Sequence, residues 1–406
     1  MNKKRILFVV SSLSVGGAQK VLANISLGLP NDWECDFLLN DSQEITYKYC
    51  GNIIDLGLKL QKNKRNLYYQ FVLLIKRFVK LRNLKKSGRY VACVSALTSA
   101  NTVNVLTGNK YCKTVATVHS HMSRALKESS FISRILETTS LKMILRRADR
   151  IVSVSKGVGD DLISSFGIPS SKVSTIYNSI LTDDILAQAE EPLSEDMREL
   201  LTDAENVLVT VGRLEVPKAY HSLIKAMSYV VQKKPRTRLL ILGEGSLHEK
   251  LQSLIWDKGL QKHIFLCGFQ KNPYALWSRS DLFVSSSVYE GLPCVLQESL
   301  CLGIPIVSTD FEYGARELLA PSSDFKEHVA ENFEFGEFGV LCPLCRSGFD
   351  RTDALTAEER ILADAIIYML DHKALCSQYS DKGKEFAKSF FVEIIAQEWI
   401  RLFEKE

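Results

Sequence analysis

Short apolar runs alternate with amphipathic helical stretches twice along this chain of 406 residues, and that alternation leaves few architectures open. In the first series, strands are expected at Ile6–Ser11, Tyr90–Ser95, Thr114–His119, Arg150–Val154 and Val173–Tyr177. Helices are expected between them at Ala18–Leu29, Tyr68–Lys86, Ser130–Arg147 and Gly157–Phe166. Strand, helix, strand in repetition asks for a parallel sheet covered on both faces. The stretch 181–203 is polar and acidic, holds one Pro, and reads as a connection. A second series then brings strands at Asn206–Val211, Thr237–Leu242, Ile264–Gly268, Leu282–Ser286 and Pro305–Ser308. Its helices are expected at Tyr220–Gln232, Ser246–Lys258, Pro273–Arg279 and Val295–Leu302, and helical patterns at Thr356–Asp371, Ala374–Lys388 and Val392–Phe403 close the chain. The expected class is α/β, with two doubly wound parallel-sheet domains. Their bounds are 1–185, a linker 186–203, and 204–385, with 386–406 as a closing helix that packs back on the first domain. Such sheets bind ligands beyond the carboxyl ends of their strands, so the expected site is a cleft that both domains face.

Composition agrees with a globular chain: 46% hydrophobic and 24% charged residues. No apolar run reaches the 18 or so residues of a spanning helix. The opening MNKKRILFVVSSLSVGG is basic and then apolar, like a signal peptide, but its apolar run is about seven residues and lacks an Ala-x-Ala pattern; a buried first strand is the better reading. Ten cysteines are scattered, several inside apolar runs (Cys93, Cys267, Cys294, Cys301), as in a reducing cytoplasmic core. Cys342 and Cys345 form one Cys-x-x-Cys, and no second pair stands at zinc-site spacing. Charge is uneven. Residues 1–180 hold 27 Lys and Arg against 11 Asp and Glu, and residues 181–406 hold 24 against 36. The basic excess peaks at 59–90, with eleven Lys and Arg, no acidic residue, and Leu73, Leu74, Ile75, Phe78, Val79 and Leu81 interleaved. This suits an anionic membrane surface; an ordinary helix with its charges in water is the plain alternative. A nucleic-acid partner would also suit basic residues, but no recognition motif accompanies them.

The sharpest local signal is SSSVYEGLPCVLQESLCLGIPIVSTD, residues 285–310. A strand ends in a polar turn, then come Glu290, Gly291, Leu292 and Pro293. Pro293 suits a first helical position and Gly303 a helix stop. A helix that starts at a glycine-bearing loop offers free N–H groups to an anion or an oxygen-rich ligand. Glu290 sits in the loop and Glu298 on the helix, so one carboxylate can meet a sugar hydroxyl and the other a ribose. A loop acid and a solvated helix acid are the plain alternative.

These two glutamates, with seven residues between them, resemble the paired-glutamate motif of retaining GT-B glycosyltransferases of family 4. The likeness continues in order along nearly the whole chain. GRLEVPK (Gly212–Lys218) is similar to the family's Gly-Arg-Leu…Lys element, LLILGEGSL (Leu239–Leu247) to its strand and Gly-x-Gly turn, and IFLCGFQKNPYALWSRSDLFVSSS (Ile264–Ser287) to the strand and loop before the glutamates. SSLSVGGAQKV (Ser11–Val21) resembles its N-terminal glycine loop, and VHSH (Val118–His121) and IYNSI (Ile176–Ile180) stand where the family has a His and an Asn. Ala219-Tyr220 departs from the usual Gly or Asn after the Lys.

The resemblance implies a role for each match. Arg213 and Lys218 would lie on the donor diphosphate, where two fixed cations stabilise a departing anion without metal. Glu290 would hold the donor sugar and Glu298 the ribose. Gly16 and Gly17 would lie near the phosphates and the acceptor, with Gly243, Gly245, Gly291, Leu292 and Pro293 also lining the donor site. Gly268 and Phe269 would lie by the base. His119 would touch the donor sugar or assist the transition state, with His121 as its weaker rival, and Asn178 would donate to sugar or phosphate. Alone, a Gly-Gly is usually a turn, and a strand-end His is usually structural. No Asp-x-Asp occurs, which argues against a metal-dependent GT-A site; no cofactor and no metal are expected. The expected activity is retaining, metal-independent transfer of a hexose or N-acetylhexosamine from a UDP-sugar to a saccharide acceptor, lipid-linked, in surface polysaccharide or lipopolysaccharide assembly. GDP is the second choice of nucleotide. The expected place is cytoplasmic, on the inner face of the membrane, with anionic lipid met by Lys59–Arg89. The alternatives are a non-catalytic carbohydrate-binding scaffold on the same fold and a GT-B sugar-nucleotide epimerase.

Overall fold

The structure is a computed structural model that describes residues 3–14, 16–58, 67–127, 131–345 and 354–404. It divides into two compact units, Met1–Ile180 with Phe390–Glu406, and Leu181–Ser389.

In the first unit the strands are β1 (Lys4–Val9), β2 (Trp33–Leu39), β3 (Asn52–Asp55), β4 (Ala92–Ala96), β5 (Lys113–Val118), β6 (Arg150–Ser153) and β7 (Val173–Thr175). They form one parallel sheet in the order β3-β2-β1-β4-β5-β6-β7. The order reverses beside β1, which pairs β2 on one side (Ile6 against Cys35) and β4 on the other (Ile6 against Ala92). Ile6, Leu7, Phe8 and Val9 are fully buried, as expected of a strand covered on both faces. The helices are α1 (Gly17–Leu27), α2 (Leu67–Lys86), α3 (Thr98–Leu106), α4 (Met122–Lys127), α5 (Phe131–Arg147) and α6 (Lys156–Ser164). The apolar run that follows the basic opening is thus the buried strand β1.

In the second unit, α7 (Thr182–Ala189) and α8 (Glu195–Glu199) lead into β8 (Asn206–Val211), α9 (Tyr220–Lys233), β9 (Thr237–Leu242), α10 (His248–Asp257), β10 (Ile264–Leu266) and α11 (Tyr274–Trp277). Then follow β11 (Leu282–Ser285), α12 (Cys294–Leu302), β12 (Ile306–Thr309), α13 (Ala315–Leu319), β13 (Glu334–Phe335), β14 (Val340–Cys342), α14 (Ala357–Asp371) and α15 (Lys373–Ala387). The sheet runs β10-β9-β8-β11-β12-β14-β13, parallel except for the β13–β14 pair, and its order reverses between β8 and β11. A reciprocal cap, Thr356 with Glu359, starts α14, and the same Glu359 meets Lys225 of α9 at 3.0 Å with both side chains buried. The last helix, α16 (Val392–Glu404), belongs to the first unit. Gly28 at the end of α1 lets it approach: a Cβ there would stand 2.7 Å from Val392 O.

Three expectations are corrected. The stretch 186–203 is not a free linker; it completes α7 and holds α8. It is fixed to α11, because Asn272 Nδ2 donates to Gln188 O (2.8 Å) and Arg279 Nη1 to Ala189 O (3.0 Å). The basic stretch 59–90 is not uniformly surface. Residues 59–66, Lys59 among them, lie outside the described residues, while Arg77 and Lys85 of α2 are buried. Pro293 stands one position before α12 as its N-cap, with φ −76° and ψ 109°, and Gly303 ends the helix in the left-handed region. Cys342 and Cys345 are buried, and burial pushes the Cys345 thiol up to about 12 and Cys342 well above its ordinary range, so both pack as apolar groups. No helix among the described residues is long and apolar enough to cross a membrane.

Candidate active site

Two loops leave the carboxyl ends of β8 and β11, the neighbours at which strand order reverses in the second unit. Such a switch point is where a doubly wound sheet opens a crevice. The loop after β8 carries Arg213 and Lys218, and the loop after β11 carries Glu290. Two hydrogen bonds to backbone carbonyls tie them: Val288 N–H donates to Pro217 O (2.8 Å) and Ser286 Oγ to Lys218 O (2.8 Å). As a result Lys218 Nζ lies 2.5 Å from Glu290 Oε1, with about a fifth of each side chain exposed. Ser287 Oγ holds the same Glu290 oxygen at 3.1 Å. Burial works against the Lys218 charge, but Glu290 and Tyr220 outweigh it and keep the ammonium above its ordinary range. Arg213 is exposed and near enough to act electrostatically on both Lys218 and Glu215.

The loop after β9 braces this arrangement. A Cβ on Gly243 would stand 2.0 Å from Gly212 O, and Gly243 has φ +144°, so only glycine fits. Gly245 packs as closely on Leu214. Leu214 N–H donates to Glu244 O at 2.9 Å, and Ser246 donates to Glu215 through its N–H (3.1 Å) and hydroxyl (2.8 Å), which holds Glu215 below its ordinary value. Gly243 N–H donates to Gly268 O at 2.8 Å, and Phe269 beside it is 59% exposed, a free aromatic face at the same sheet edge. Thus the structure brings Arg213, Lys218, Glu290, Gly243, Gly245 and Gly268 onto connected loops.

Gly291, Leu292 and Pro293 are buried, backed by Gly314, whose Cβ would come within 3.0 Å of Gly291 O. Glu298 is 5% exposed, which removes the reading of a solvated helix acid. Ser286, Ser287 and Gly212 fall within the matched stretches, but the sequence alone gives them no role of their own. Gly212 matters because a Cβ there would stand 2.9 Å from Lys218 Cε. A serine run after a strand carries no distinguishing signal until its partners are seen.

Ala219, where the sequence departs from the family, is buried with φ 45° and ψ 37°. That is the conformation in which Gly or Asn is at ease. Ala219→Gly is expected to be near neutral in thermal unfolding, since relief of strain is offset by backbone entropy and a lost methyl. Ala219→Val, with a branched Cβ in the left-handed region, is expected to destabilise by about 1–3 kcal/mol.

The remaining candidates lie in the first unit. Gly16, φ +137°, caps α1 and donates its N–H to Tyr47 Oη at 3.0 Å, while a Cβ on Gly17 would meet nothing within 4 Å, so that backbone is open. His119 follows β5. Thr117 Oγ1 donates to Ser95 O (2.9 Å) and so accepts from His119 Nε2–H (2.8 Å), which leaves Nδ1 as the acceptor. Burial pushes this imidazole from 6.5 down to about 4. Below pH 6.5 the unfolded chain takes up a proton that the folded chain refuses until about 4, so stability falls as pH falls through that window. His119→Gln is expected to flatten this part of the stability–pH profile, measured by denaturant titration. His121 is buried against Ser123 Oγ (3.0 Å) and Asp161 Oδ1 (3.4 Å). Asn178 is buried beside Ser179, whose carbonyl accepts from Asn24 of α1 at 3.0 Å.

Comparison with known proteins follows the same division. The family described as Glycosyltransferase Family 4 matches residues 15–184, and that described as Glycosyl transferases group 1 matches residues 194–331. An uncharacterized glycosyltransferase of Methanocaldococcus jannaschii is 34% identical over 267 residues, 65% of each chain, so the match spans just under two thirds of that relative. The N-acetylgalactosamine-N,N'-diacetylbacillosaminyl-diphospho-undecaprenol 4-alpha-N-acetylgalactosaminyltransferase of Campylobacter jejuni is 28% identical over 400 residues, 97% of each chain. Among solved structures, Anabaena HepE in complex with UDP and glucose superposes with a TM-score of 0.73 at 19% identity, covering 98% of this chain and 99% of that one.

Proposed function

Because this chain belongs to the glycosyltransferases built from a family 4 domain and a group 1 domain on the GT-B fold, we propose that it moves a hexose or N-acetylhexosamine from a UDP-sugar to a lipid-linked saccharide acceptor. The observation that carries this reading is the Lys218–Glu290 pair at the β8/β11 switch point, with Arg213 on the same loop. A cation and a carboxylate 2.5 Å apart are placed to part company over a sugar diphosphate. Lys218 turns to a phosphate oxygen and Glu290 to a sugar hydroxyl. Arg213 adds a second cation, and no metal is then needed to offset the departing charge.

In the proposed reaction the bond from the anomeric carbon to the donor phosphate breaks and the acceptor oxygen bonds to that carbon from the same face. The acceptor proton passes to the leaving phosphate oxygen. The configuration is retained without an enzyme nucleophile. Each fixed donor to the diphosphate contributes roughly 3 kcal/mol to the transition state. The UDP complexes of HepE and the undecaprenol-linked substrate named for the Campylobacter relative support the choice of donor and acceptor.

We also propose a peripheral place on the inner leaflet. Leu74, Ile75 and Val79 are exposed on α2, and Lys76, Lys80, Arg82 and Lys86 are exposed among them. Basic residues at an anionic surface contribute about 1 kcal/mol each. The test of function is turnover of UDP- and GDP-sugars with polyprenyl-diphosphate-linked acceptors, followed by mass spectrometry and by NMR of the new anomeric centre. An α-linked product from an α-linked UDP-sugar is expected. An inverted product would sink the mechanism, and donor conversion that needs no acceptor would point to an epimerase.

A further inference from the structure

In the first unit, Arg77 lies along α2 and is only 1% exposed. Its Nη1 makes one long hydrogen bond, 3.4 Å, to Ser99 Oγ. Among the described residues its Nε and Nη2 meet no acceptor. Burial pushes the guanidinium down to about 10, so it keeps its charge at neutral pH. Lys85 on the same helix shows the contrast: its ammonium donates to Asn104 O (2.8 Å), Gly108 O (3.0 Å) and Thr114 Oγ1 (3.3 Å). A buried charge without a counter-charge is costly to folding, and an apolar side chain of similar size would serve packing better. Packing therefore does not account for Arg77.

Its hydrogen bond to Ser99 points to the reason. Ser99 is in the first turn of α3, a helix of nine residues. The N-cap, Leu97, has φ 73° and gives no side-chain hydrogen bond, and among the described residues no side chain is seen capping this first turn. Leu97, Thr98 and Ser99 are exposed, which opens this turn to solvent. The helix follows β4, beside β1, where the order of the first sheet reverses. The Arg77 guanidinium touches the first turn of α3 through Ser99 Oγ, and a guanidinium beside an uncapped helix start matches an anion with several oxygens.

We propose that Arg77 and the first turn of α3 form a binding site for a phosphoryl group, as phosphate or diphosphate. Two sources carry that chemistry: a free diphosphate, and the diphosphate of a lipid-linked acceptor, the second of which rests on the proposed function.

The experiment uses the full chain with Lys218→Ala, which removes the main cation of the donor site, and follows thermal unfolding against inorganic diphosphate at fixed ionic strength. Diphosphate is expected to raise the melting temperature. Adding Arg77→Met should weaken half-saturation by roughly tenfold or more, while leaving the ligand-free melting temperature equal or higher. Ser99→Asp, an exposed change that supplies an internal carboxylate, should likewise block the response and raise the ligand-free melting temperature. A second titration with farnesyl diphosphate below its micellar concentration separates the sources. A lower half-saturation than inorganic diphosphate, lost with Arg77→Met, assigns the site to a lipid-linked group; an equal one assigns it to the free anion. The proposal is overturned if diphosphate gives no shift in the Lys218→Ala chain, or if the shift survives Arg77→Met and Ser99→Asp unchanged. Failure of glycosyl transfer alone leaves the inorganic diphosphate result standing.

Discussion

Lys218→Ala is expected to lower kcat by roughly 10²–10³ while the fold is kept, the loss typical of removing one fixed donor to a developing negative charge. The ammonium sits 2.5 Å from Glu290 and is held charged by it, so its absence removes the cation and frees the carboxylate at once. Glu290→Ala is expected to cost a similar factor, because the donor sugar then loses its acceptor and Lys218 its counter-charge. The double variant should fall well short of the product of the two losses, since the residues act as one unit. Steady-state kinetics of UDP release checks this. If kcat is unchanged and only KM rises, Lys218 binds donor and transition state equally, and its assigned part in the chemistry is wrong.

The second large effect is on stability. Arg316 of α13 is buried and donates to Asp310 through Nε (3.1 Å) and Nη2 (2.7 Å), and to Glu334 through Nη1 (3.0 Å) and Nη2 (2.9 Å). Val329 N–H adds a bond to the same Asp310 oxygen at 2.9 Å. Burial works against the guanidinium charge, but the two carboxylates outweigh it and hold the group above its ordinary value. Arg316→Ala leaves Asp310 as a buried carboxylate without its cation and is expected to destabilise the second unit by about 3–5 kcal/mol. The effect should reach the site, because Gly314, two residues before, backs Gly291–Pro293. Denaturant titration measures the stability loss, and the donor KM should rise in parallel at temperatures where the variant is still folded. A loss below about 1 kcal/mol would mean that the network is replaceable by water.

The parts of the fold that periodicity announced are those whose burial is uniform. β1 and β8 are near-continuous apolar runs covered on both faces, and their sequences say so. β2 was missed because TrpGluCysAspPheLeuLeu mixes acids into a strand. Its Asp36 is inside, where Tyr90 Oη (2.7 Å) and Asn52 Nδ2 (3.0 Å) donate to it, a partnership between residues far apart in the chain. The helix α3 was missed because its start has no cap residue and lies in a small-residue stretch. The supposed linker failed for a related reason: it is polar on the outside, yet its backbone carbonyls are held by Asn272 and Arg279, about eighty residues on.

The site divides in the same way. Glu290 and Glu298 stand out around a glycine-bearing helix start, and Arg213 and Lys218 gain their roles from the resemblance to the family. What joins them is invisible at that level: Ser286 on the Lys218 carbonyl, Val288 on Pro217, and the Gly243 backbone against Gly212. In the same unit, Phe269 is exposed and Glu298 buried, and no composition rule separates those two outcomes.

A donor site built on Arg213 and Lys218 is tested most directly by the affinity of the protein for UDP, measured by calorimetry with a chelator present, for the wild type, Lys218→Ala and Arg213→Ala. The wild type is expected to bind UDP without metal, and each variant to bind it roughly tenfold to a hundredfold more weakly. UDP binding that needs a divalent cation, or that is equal in all three proteins, would contradict a donor site built on these two cations.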